Sequence, residues 1–184
     1  MLTPTSPNAN LPDSANCSKG DPAPFFSTVS SPSQAYGVGL ITRIDSARPR
    51  LFCPSAQPDM EDSRVLGVVE GSGDQSRVAY LNDNVAVTPE ILALAGSVPA
   101  TQVLRFAAHC EENKCRHFDG HKCQLATRIV QILPAVVDAL PACQIRATCR
   151  WYQQEGRAAC MRCPQVITQT LNPSEDFARA AVGS

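Results

Sequence analysis

Arg64-Val-Leu-Gly-Val-Val-Glu70, followed by Gly71-Ser-Gly-Asp-Gln75 and then Ser76-Arg-Val-Ala-Tyr-Leu81, is the stretch that decides the fold. Two runs rich in valine flank a glycine-containing break, which is the pattern of a β-hairpin. Neither Lys-Ser/Thr nor a helix pattern follows Gly71-Ser-Gly73, so it reads as a turn rather than a phosphate loop. Upstream, strand character begins at Tyr36, and Val38 to Ile44 is a short apolar run. Downstream, Thr88-Pro-Glu-Ile-Leu-Ala-Leu-Ala-Gly96 carries a Thr cap, Pro in the first turn and Gly as terminator, which predicts a short helix.

Farther along, Leu125, Ile129, Ile132, Leu133, Val136, Val137 and Leu140 follow helical spacing, and Pro134 splits them into two expected helices. Asn172-Pro-Ser-Glu-Asp-Phe-Ala-Arg predicts a terminal helix. Residues 1–34 are rich in Pro, Ser and Asn and show no periodicity, so they read as a disordered tail in which Cys17 ligates nothing. The fold class expected is α+β: a β-rich N-terminal half with a hairpin, then a Cys-rich, mainly helical and loop metal-binding module. The boundaries expected are a tail at 1–34, a scaffold at 35–104, the module at 105–171 and a C-terminal helix at 172–184.

Composition narrows the function classes. A chain of 184 residues with 43% hydrophobic residues can bury one core, or one core and a satellite lobe. A net charge of −1 gives no basis for charge-driven nucleic-acid binding. The N-terminal stretch lacks the basic and apolar segments of a secretory signal, and no apolar run is long enough to cross a bilayer. A soluble cytoplasmic protein is therefore expected, in a compartment where nine cysteines suit metal binding better than a disulfide framework.

Seven cysteines fall at Cys110, Cys115, Cys123, Cys143, Cys149, Cys160 and Cys163. Thiolates are soft ligands that favour iron–sulfur clusters, zinc and Cu(I). An iron–sulfur cluster, [4Fe–4S] favoured, suits the irregular spacings and the Cys163-Pro164 pair. Two quartets are open: Cys110, Cys115 and Cys123 with remote Cys163, or Cys143, Cys149, Cys160 and Cys163. Seven is one short of two clusters, and Cys53, His109, His117 or His121 is available as an eighth ligand. Cys53 reads first as a core residue beside Leu51-Phe52, and the histidines read first as polar loop residues.

Zinc is the rival, since Cys110 with Cys115 and Cys160 with Cys163 resemble the paired ligands of a structural site. Between Arg105 and Cys163 there are nine Lys/Arg against five Asp/Glu, a cationic setting suited to an anionic thiolate site. Arg146, Arg150, Arg157 and Arg162 each stand near a cysteine, and Trp151-Tyr152 offers rings to exclude water. The functions that follow are electron transfer or redox sensing with a protein partner, or a zinc-stapled interaction module. Thiol oxidoreductase chemistry at Cys160-Met-Arg-Cys163 lacks a βαβ context, and no catalytic residue is assigned.

Overall fold

Arg64–Glu70 (β2) and Arg77–Ala86 (β3) pair antiparallel, with Gly67 opposite Tyr80 and Glu70 opposite Arg77, and so form the expected hairpin. The computed structural model describes residues 50–182. The expectations for the tail, for Cys17 and for the run Val38–Ile44 lie outside the described residues. Gly71 turns the chain with φ of +81°, and a Cβ there would lie 2.8 Å from the Gln75 carbonyl oxygen. Only glycine meets both demands without strain.

Two further strands complete one antiparallel sheet in the order β1-β4-β2-β3: Phe52–Ala56 (β1) at one edge and Leu104–His109 (β4) in the interior. Strand β4 was not anticipated from the sequence pattern. Leu104, Phe106 and Ala108 bury into a cluster with Met60 and Val65 on one side, while Ala107 joins Leu66 and Phe52 in the larger core on the other. With both faces covered, and with Arg105 itself only 1% exposed, no apolar/polar alternation is left to read.

The helices follow their local signals unevenly. Helix α1 (Pro89–Ala93) starts as expected, with the Ile91 amide donating to the Thr88 hydroxyl at 3.4 Å. Its side of the sheet carries the smaller core, in which Ile91 and Leu92 pack against the buried cluster. A short α2 (Ala100–Val103) leads into β4. Helix α3 (Gln124–Ile132) buries Leu125, Ala126 and Ile129 in the larger core and packs on α6 (Glu175–Val182). The Ser174 hydroxyl accepts from the Phe177 amide at 3.3 Å and caps α6.

The second helix expected after Pro134 does not form. Pro134 has no N–H to continue α3, and Val136 instead donates to the Met161 carbonyl at 2.9 Å, while Gln165 Nε2 donates to the Pro134 carbonyl at 2.7 Å. Val136, Val137 and Leu140, expected in that second helix, thus lie along an irregular strap tied to the C-terminal cysteine segment. That segment holds α4 (Arg150–Glu155) and α5 (Arg157–Cys160), separated at Gly156 with φ of +60°. No helix among the described residues is long and apolar enough to cross a membrane.

Candidate metal centre

Four short devices bring Cys143, Cys149, Cys160 and Cys163 to one place. Cys143 ends the strap before the 3-10 turn Arg146–Thr148, and Cys149 caps α4. Cys160 closes α5, and Cys163 opens the 3-10 turn Cys163–Gln165, with Pro164 at its first turn. Their side chains line one apolar hollow, with Tyr80 from β3 and Trp151 and Tyr152 from α4. Of the two quartets open in the sequence, the members of the C-terminal one share the lining of this hollow.

Burial pushes the Cys149 thiol up to about 12, and the neighbouring Cys163 and Cys143 sulfurs act in the same direction. Cys143 and Cys160 are also raised by burial, with Arg146 working against the rise at both. Cys143 and Cys149 are thus held as neutral thiols, and a metal ion must displace their protons to bind. Tyr80 rises through burial and then through its contact with Cys163. The sequence pattern did not single out Tyr80, because its partner Cys163 lies far along the chain.

Two guanidinium groups, of Arg146 and Arg105, stand at or near the hollow. The Arg146 guanidinium donates to the Pro141 carbonyl and lies against the Cys160 sulfur, but its buried Nε has no partner. Arg105 donates from Nε to the carbonyl of Pro54, a residue of the hollow wall, and its two terminal nitrogens have no partners. Arg162 is engaged otherwise: it donates to the Leu133 and Ala158 carbonyls at 2.6 and 3.0 Å and fastens the strap. Arg150 pairs with Glu112 and approaches Cys110, away from this quartet.

The remaining cysteines stand elsewhere. Cys115 is buried and disulfide-bonded, so its sulfur is not a thiolate donor in this state. Cys53, Cys110 and Cys123 are free and lie near one another. Of the histidines, His117 lies 3.2 Å from Arg128, and His109 stacks on Phe52 at 4.4 Å with Nε2 3.3 Å from Asp62. The His121 amide donates to Asp119 at 2.9 Å in an exposed turn.

The donor set suits soft metals, and the buried cations suit an anionic centre. Among the described residues, no three His, Cys, Asp or Glu side chains converge closely enough to hold one metal ion. The hollow is about 20 Å³, room for roughly one water. A larger inorganic group therefore enters only if the four sulfurs spread, and three of them sit on short turns or on the strap rather than inside long helices. No protein-family model, characterised protein or solved structure matches this chain.

Proposed function

We propose that the chain is an iron–sulfur protein of electron transfer or redox sensing, with Cys143, Cys149, Cys160 and Cys163 as ligands of a [4Fe–4S] cluster. The observation that carries this reading is the pairing of four thiols around one apolar hollow with buried guanidinium nitrogens that lack partners. A single structural zinc with four thiolates is held by Zn–S bonds of about 2.3 Å, which demands tightly converging sulfurs. A cubane keeps its four thiolates on separate irons, and so farther apart. When bound, the cluster supplies one-electron chemistry at a potential set by charge, hydrogen bonds and burial.

This chain's residues have definable parts in that function. Trp151 and Tyr152 keep water from the hollow. Arg146 and Arg105 offset the negative charge of a reduced centre, and Tyr80 offers a hydroxyl hydrogen bond to the Cys163 sulfur. A protein partner supplies or removes the electron. Electron paramagnetic resonance of protein purified without oxygen and reduced with dithionite tests the reading. A fast-relaxing low-temperature signal that disappears on reoxidation supports it, and a silent spectrum with stoichiometric zinc rejects it.

A further inference from the structure

Cys160 ends α5 and Cys163 opens the next 3-10 turn, so a single turn of backbone separates them. The two residues between hold right-handed helical angles, Met161 at φ −68° and ψ −16° and Arg162 at φ −111° and ψ −22°. Helical residues three apart stand about 5 Å from Cα to Cα, inside the window of about 4.4–6.8 Å that a disulfide spans. Closing this pair therefore turns side chains and leaves the backbone path in place.

The turn is also pinned from outside. The Met161 carbonyl accepts from the Val136 amide at 2.9 Å, and the Arg162 guanidinium donates to the Leu133 carbonyl at 2.6 Å, so both intervening residues are tied to the strap. Cys160 and Cys163 line the apolar hollow and are half-buried, whereas Cys149 is 6% exposed. Cys143 is half-buried too, but it comes from the far end of the strap. Spacing and access together mark Cys160 and Cys163 as the pair. The Arg146 guanidinium, which lies against the Cys160 sulfur, is placed to donate to an oxygen on that sulfur.

We propose that Cys160 and Cys163 are a disulfide switch on the C-terminal site, closed by a hydroperoxide and opened by a thiol reductant. The Cys160 sulfur attacks one peroxide oxygen, the S–O bond forms as O–O breaks, and the departing oxygen leaves as water with the thiol proton. The Cys163 sulfur then attacks the Cys160 sulfur, S–S forms as S–O breaks, and a second water carries off the oxygen with the Cys163 proton. Two thiols are oxidised and one peroxide is reduced to water. Closure removes two of the four sulfurs assigned to the cluster and so prevents its assembly; that consequence rests on the proposed function, and the bond itself does not.

The test treats the metal-free full chain with hydrogen peroxide, blocks the remaining thiols and digests with trypsin without reduction. Cleavage after arginine puts the four cysteines of the hollow in separate peptides, 129–146, 147–150, 158–162 and 163–179. Peptides 158–162 and 163–179 are expected to run as one species, lighter than their sum by two hydrogens, and to part on adding dithiothreitol. In Cys163→Ser, peptide 158–162 is expected to be trapped by dimedone, which marks the sulfenic acid. Peptides 158–162 and 163–179 that stay separate, or that link mainly to 129–146 or 147–150, overturn the switch, and so does a Cys163→Ser chain that takes up no dimedone at Cys160. Every readout is taken without metal, so a missing cluster signal in the resonance experiment rejects the proposed function and leaves this bond standing.

Discussion

The central carbon of the Arg105 guanidinium lies 5.6 Å from the centre of the Trp151 ring, in the interior between the sheet and α4. Arg105 is 1% exposed, has one hydrogen bond to Pro54 and leaves two nitrogens unpartnered. A desolvated cation–π contact offsets about 2 kcal/mol, less than the several kcal/mol that burying an unpaired charge costs. An anion beside this cation is thus worth more to the fold than the contact with the ring.

Arg105→Met is accordingly predicted to act in opposite directions in two states. Without metal it raises unfolding stability by about 1–3 kcal/mol, because an unpaired buried charge is removed. With the cluster bound it lowers the reduction potential by some tens of millivolts, since reduction adds negative charge that the cation stabilised. Chemical denaturation of the metal-free variant and a redox titration of the loaded one check the two signs. A metal-free variant less stable than the wild type contradicts this account of Arg105.

Cys149 is predicted to resist alkylation in the folded, metal-free protein. With its thiol pushed up to about 12, roughly a thousandfold less thiolate is present than for an ordinary cysteine at the same pH. Mass spectrometry after brief iodoacetamide treatment at pH 8 is expected to find Cys149 unmodified, and modified only once urea unfolds the chain. Rapid labelling in the folded state contradicts the burial assigned to it.

The turn Asp119–Lys122 carries a pH dependence. The Lys122 and His121 amides donate to the Asp119 carboxylate at 2.7 and 2.9 Å and hold its pKa below the usual value, the Lys122 bond contributing most. A depressed carboxyl contributes stability that is complete above its unfolded pKa of about 3.9 and is lost as pH falls through the folded value. Temperature coefficients of the two amide protons are expected to show hydrogen bonding at pH 6 and its loss in strong acid. Asp119→Ala abolishes it at both.

Gly67→Ala is predicted to lower stability by about 1–3 kcal/mol. A Cβ there would lie 2.4 Å from the Ala79 carbonyl oxygen and 2.7 Å from Val78 Cγ1, at the irregularity where β2 bends between Val65 and Gly67. The obstacle is backbone, so the hairpin must open to admit the methyl group. Thermal unfolding with an unchanged midpoint contradicts that packing.

What the sequence discloses here tracks how local the causes are. The hairpin and α1 were readable because their turn and cap residues act within a few positions, as Thr88 does on Ile91. The strap after Pro134 misled because its apolar spacing is helical, while its backbone hydrogen bonds go to Met161 and Gln165, far along the chain. The same limit governs the cysteines. Their number pointed to a metal site, but grouping Cys53 with Cys110 depends on β1 meeting β4, and no spacing rule contains that meeting.

The most direct test of the central claim is the iron and acid-labile sulfide content of the full chain purified without oxygen, taken with its visible spectrum. The account predicts a brown protein with broad absorbance near 400 nm and at least about four iron and four sulfide per chain, lost when Cys143 and Cys160 are replaced by serine. A colourless protein that takes up neither iron nor sulfide, or that binds zinc alone, contradicts it.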